Sequence, residues 1–127
     1  MIHIEDEEFE HIVREAIDDI PEKYGKHIKN LAFVVEDEPT EQQRNRLKLH
    51  PHSMLFGLYE GIPLTKRGAG YNLVLPDKIT IFKLPIVKYC EMTKTDIAEQ
   101  VKHTLWHEIA HYYGLNHADI RDREKPD

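Results

Sequence analysis

The sequence predicts an α+β fold in which a small mixed β-sheet packs against an N-terminal helix and a C-terminal helix, residues 1–127 forming a single domain. Three observations carry that expectation. Apolar residues recur at helical spacing near the start of the chain and again beyond Asp96. Between them lie short apolar and β-branched runs bounded by glycine, proline or acidic residues, as strands are. No internal repeat, low-complexity tract or linker divides the chain, and 127 residues suffice for one modest core.

Taken in order, Phe9, Ile12, Val13, Ala16, Ile17 and Ile20 share one helical face and Pro21 follows, which predicts an amphipathic helix over residues 5–20. Leu31-Ala-Phe-Val-Val35 reads as a buried strand, with Glu36 to Glu38 as its solvated end and turn. Residues 41–48 are polar with helical propensity, and His50-Pro51-His52 stops any continuation in a solvated loop. Met54 to Tyr59, punctuated by Gly57 and Gly61, reads as a second strand entering a turn. Lys66–Gly70 is a loop, and Ile79-Thr-Ile-Phe82 has the cleanest β pattern of the second half. The C-terminal helix is the strongest element. Asp96 is its N-cap, with Glu99 three residues later. Ile97, Val101, Leu105, Ile109 and Tyr112 form its apolar stripe, and Gly114 stands where a left-handed residue ends a helix.

Composition narrows the function. The formal net charge of -6 argues against nucleic acid as a partner, because phosphate binding needs a basic surface. No apolar run approaches the length that spans a bilayer, so no membrane partner is expected. Met1 to Glu8 is acidic where a signal peptide would be basic and then apolar. The single cysteine, Cys90, cannot form an internal disulfide and reads as a small buried apolar residue. A cytoplasmic location is the resulting expectation. Nine histidines are the compositional oddity, and four of them fall between His103 and His117.

The segment His107-Glu108-Ile109-Ala110-His111-Tyr112-Tyr113-Gly114-Leu115-Asn116-His117 carries the chemistry. His107 and His111 lie one helical turn apart on one side and can share a metal ion beside the apolar stripe. Gly114 permits the turn that lets the chain double back, so that His117 supplies a third ligand and leaves a fourth tetrahedral position for water. Glu108 is then placed as general base rather than ligand. A bare HExxH arises often by chance; the added Gly114 and His117, with the helical context, make the match specific.

These eleven residues match the HExxHxxGxxH pattern of the metzincin class of zinc peptidases. The methionine-containing turn of that class, downstream of the third ligand, has no counterpart in the ten residues after His117. The whole chain instead resembles the minimal zincins, compact bacterial proteins assigned as zinc metallopeptidases. The resemblance runs through Val35-Glu-Asp-Glu-Pro39, Leu55-Phe-Gly-Leu-Tyr-Glu-Gly-Ile-Pro-Leu64 and Leu75-Pro-Asp-Lys-Ile-Thr-Ile-Phe82 to the histidine helix. It implies a minimal zincin-like fold and a Zn2+ cofactor. The third ligand in that family is commonly aspartate, and here it is His117.

Neighbouring residues have simpler readings. His103 is about 12 Å along the axis from His111, too far to share its ion, and reads as a surface or supporting residue. Asp119 is the alternative third ligand, less favoured by its spacing from Gly114. Tyr112, Tyr113 and Trp106 are expected to pack rather than to act on substrate.

Three functions compete: a zinc peptidase acting on a peptide or protein substrate, a zinc-stabilised protein-binding module without efficient catalysis, and a zinc ribonuclease. Glu108 and the acidic balance count against the last. A peptidase of this kind aligns its substrate as an extra strand on a sheet edge. The candidate edges are Ile79–Lys83, favoured for its β pattern, and Leu55–Tyr59.

Overall fold

The computed structural model describes residues 3–26, 28, 31–48, 54–61 and 77–114. Helix α1 spans Asp6–Asp18 and buries Phe9, Val13 and Ala16. Its first turn carries Asp6, Glu7 and Glu8, which suits the positive end of the helix dipole. A single turn, α2 (Glu22–Gly25), leads to strand β1 (Leu31–Glu36). Helix α3 (Glu41–Arg46) opens on a complete capping box between Thr40 and Gln43, which explains why a polar stretch is helical at all. Strands β2 (Gly57–Glu60) and β3 (Asp77–Phe82) follow, then helices α4 (Lys83–Thr93) and α5 (Ile97–Tyr112).

The sheet is mixed and runs β1-β3-β2. β1 lies parallel to β3, Leu31 opposite Asp77 through Glu36 opposite Phe82. β2 lies antiparallel to β3, Gly57 opposite Ile81 through Glu60 opposite Lys78. This overturns the favoured substrate edge. The β-branched pattern of Ile79–Lys83 marks the central strand, paired on both sides, with Ile79 and Ile81 fully buried. Among the described residues β2, from the Leu55–Tyr59 segment, is an outer strand. Phe82 N–H donates to Phe56 O at 2.9 Å, so Phe56, Leu58 and Glu60 bond towards β3 and Gly57 and Tyr59 turn their main-chain groups outward.

Helix α1 packs on α5, and α5 packs on β2 and β3. Phe9, Val13, Ile79, Ile81, Ile86, Val101, Leu105 and Ile109 form one core between them. Helix α4 starts directly from β3 with Pro85 in its first turn, where the missing N–H costs nothing. Lys83 is nearly buried there, its Nζ meeting Asp6 Oδ1 at 2.6 Å and tying α4 to the start of α1. Glu60 holds α3 to the end of β2: its carboxylate accepts from Gln43 Nε2 at 3.1 Å and pairs with Arg46. Burial pushes the Glu60 carboxyl up, but Arg46, Gln43 and Lys78 together outweigh it and hold the group below its ordinary range. Among the described residues no helix is long and apolar enough to cross a membrane.

Candidate metal centre

Helix α5 is fixed at both ends by its own sequence. Asp96 Oδ2 accepts from Glu99 N–H at 3.1 Å, satisfying one of the first orphan donors. At the other end Gly114 takes φ 83°, the left-handed conformation expected of it, and its N–H reaches His111 O at 2.9 Å. Between these ends Val101, Leu105, Ile109 and Tyr112 are buried, the stripe that the spacing predicts. Trp106 and Tyr113 also pack as expected: both meet the ring of Tyr24 edge-on, and Tyr113 Oη donates to Tyr24 O.

With the stripe so anchored, His107 and His111 stand half-buried on one side of α5, ring centroids 4.9 Å apart. A nitrogen from each and a carboxylate oxygen of Glu108 lie within 4.8 Å of one another. Two imidazoles and a carboxylate at this spacing form a donor set that suits a borderline-soft divalent ion such as zinc. His103 is exposed one turn earlier. His117, Asp119, His50, His52 and the Lys66–Gly70 loop lie outside the described residues.

Glu108 is the least accessible member of the group, 8% exposed. Its Oε1 accepts the main-chain N–H of Tyr59 at 3.0 Å, so the outer strand and the histidine helix meet at this carboxylate. Burial pushes the Glu108 carboxyl up to about 7, against the smaller downward pull of the Tyr59 N–H. Tyr59 is itself fixed: its hydroxyl donates to the buried Asp77 carboxylate at 2.7 Å, and its ring meets Tyr112 edge-on. Gly57 permits the approach. A Cβ there would lie 2.8 Å from Thr104 Cγ2 and 3.2 Å from Glu108 Cγ. Sequence reasoning identified neither Gly57 nor the Tyr59 N–H as part of this site. The signal was present in Gly57-Leu-Tyr-Glu-Gly61, a strand interrupted by a glycine that marks a close approach.

Cys90 is fully buried, and burial first, then the Asp96 charge, raises its thiol pKa; it is a packing residue. The histidine pair is therefore one part of a structured centre in which a buried carboxylate is clamped to the rim of a sheet. None of the curated proteins compared with the chain matches it. The model of the zincin-like metallopeptidase family matches residues 28–126, which include all three strands and the histidine helix, and the chain belongs to that family.

Proposed function

We propose that the protein is a zinc peptidase in which Glu108 is the general base and His107, His111 and His117 are the metal ligands. The observation that best supports this reading is the meeting of Glu108 with the outer strand β2, directly beside the two helix histidines. Zinc is the metal the family implies. When bound it acidifies a water and polarises a carbonyl.

The remaining work falls to the chain. The outward N–H and C=O of Gly57 and the C=O of Tyr59 align an extended peptide along β2. The Tyr59 N–H holds Glu108 in one rotamer, and the carboxylate takes the proton of the attacking water. Glu108 then returns that proton to the leaving nitrogen, which lets the amine depart neutral. Cleavage of a broad peptide library by wild type but not by Glu108→Gln supports the assignment. Equal inactivity of the two proteins, both loaded with zinc, would leave only a metal-holding binding module.

The ligand set has its own test. One zinc per chain is expected, removed by chelators and poorly regained below about pH 5, where imidazoles are protonated. His117→Ala should weaken zinc by more than about a hundredfold, beyond what loss of an outer supporting group does. A competition titration against a metal indicator measures this. If Asp119→Ala has that effect and His117→Ala has none, the third ligand is Asp119.

A further inference from the structure

A cleft of about 380 Å³ opens beside His107 and Glu108 and runs from them towards the start of α5 and the entry to β2. One wall is apolar, made of Met54, Leu55, Phe56 and Tyr89, and α5 supplies the other. The Phe56 and Tyr89 rings stand 5.0 Å apart at 57°, so one wall is a preformed aromatic surface. Phe56 is pinned by its carbonyl to Phe82 N–H, and Tyr89 by its place in α4. On the α5 side stand Gln100, His103 and Thr104, with Gln100 Nε2 donating to Thr104 Oγ1 at 3.1 Å. The described lining contains no lysine, arginine or aspartate, and its one carboxylate is Glu108 at the end. A charged side chain entering this space would lose part of its water against the Phe56 and Tyr89 rings, with His103 and Gln100 as polar neighbours at one side only. Met54 is 37% exposed at the rim, one of four large apolar side chains exposed among the described residues. A concave, apolar, preformed surface of this size lies at the small end of ligand sites, which span about 300–1,000 Å³.

We infer that this cleft is the specificity pocket of the protein, receiving one large apolar side chain, aromatic or branched, from a peptide lying along β2. The inference names the substrate class of the proposed peptidase and rests on that reading only for the bond beside the bound residue being the one cleaved. Binding itself does not require turnover. Tyr89 and Phe56 determine specificity by shape, whereas Glu108 and the histidines act on the peptide bond.

The test uses zinc-loaded full-length Glu108→Gln, which leaves the probes intact, and the series acetyl-Ala-Gly-X-Ala-amide with X as Phe, Leu, Ala or Asp. Affinities come from NMR titration. The Phe and Leu peptides should bind at least about tenfold more tightly than the Ala and Asp peptides. Tyr89→Ala should reduce the Phe-over-Ala preference several-fold, and Tyr89→Phe should retain it. Because Tyr89 is partly buried, Met54→Ala at the open rim supplies a second variant, expected to weaken the Phe peptide about two- to threefold without threatening the fold. Equal affinity across the series, no binding by any member, or a preference indifferent to both Tyr89→Ala and Met54→Ala would overturn the pocket. The two proposals fail separately. Size-selective binding with no cleavage by wild type removes the peptidase and keeps the pocket; cleavage without size preference does the reverse.

Discussion

Glu108→Gln should keep its zinc and its fold and lose at least about a hundredfold in peptide turnover, the scale of a missing general base. Glutamine fills the same volume and can still accept the Tyr59 N–H, so the clamp between α5 and β2 survives. What disappears is the proton acceptor. The loss should therefore fall on kcat, with KM little changed. A second consequence follows in the metal-free protein. There the folded Glu108 holds its proton up to about 7, whereas an unfolded glutamate releases it near its ordinary 4.5. Between those values the unfolded chain binds fewer protons, so stability falls as pH rises through the window and stays low above it. The span corresponds to at most about 3 kcal/mol. Glu108→Gln cannot ionise and should lack that loss, making the metal-free variant the more stable protein at pH 8 but not at pH 4. Urea unfolding at the two pH values measures this, and a parallel pH dependence in both proteins would refute it.

Gly57→Ala should disturb the centre directly, by placing one methyl group between β2 and α5. Its Cβ would sit 2.8 Å from Thr104 Cγ2, 3.2 Å from Glu108 Cγ and 3.3 Å from Thr80 O. Thr104 is buried on α5 and Thr80 O belongs to β3, so neither wall is the free end of a flexible side chain. Relief requires β2 to move away from α5, which stretches the bond from Tyr59 N–H to Glu108. Overpacking of this kind costs about 1–3 kcal/mol. Turnover should fall by more than that loss of stability explains, because the base loses its anchor. Thr104→Ala removes the nearest methyl group and should restore part of both quantities in a double-mutant cycle. Additive effects of the two substitutions, or a Gly57→Ala protein within about 0.5 kcal/mol of wild type, would show that the approach is looser than the distances indicate.

Much of this architecture was legible in the sequence because it follows from periodicity and capping. The α1 face, the α5 stripe, the Asp96 cap and the Gly114 turn all stand as the residue spacing predicts. The order of the strands was not legible. A β-branched run such as Ile79-Thr-Ile-Phe82 announces a strand, but its two neighbours are chosen by long-range pairing that no local pattern encodes. Helix α4 escaped detection because Pro85 looks like a breaker until its place in the first turn is known, and because its buried residues do not form one narrow stripe. At the site the motif placed His107, Glu108 and His111 together on one helix, as the structure has them. What the motif lacks is the partner of Glu108, since a main-chain N–H has no residue type by which to be recognised.

That partner also divides the centre into two kinds of order. His107 and His111 are brought together by a single helical turn, an arrangement that α5 makes by itself. Glu108 and Tyr59 are 49 residues apart in the chain and meet only when β2 has docked. On the proposed reading the two histidines would still face one ion in a chain whose sheet has come apart, while the carboxylate beside them would have lost its aim. Metal retention and catalytic competence, if both are present as proposed, would thus separate along the unfolding coordinate. Hydrogen exchange at the Tyr59 amide, rather than metal content, reports how much of a preparation is assembled to act.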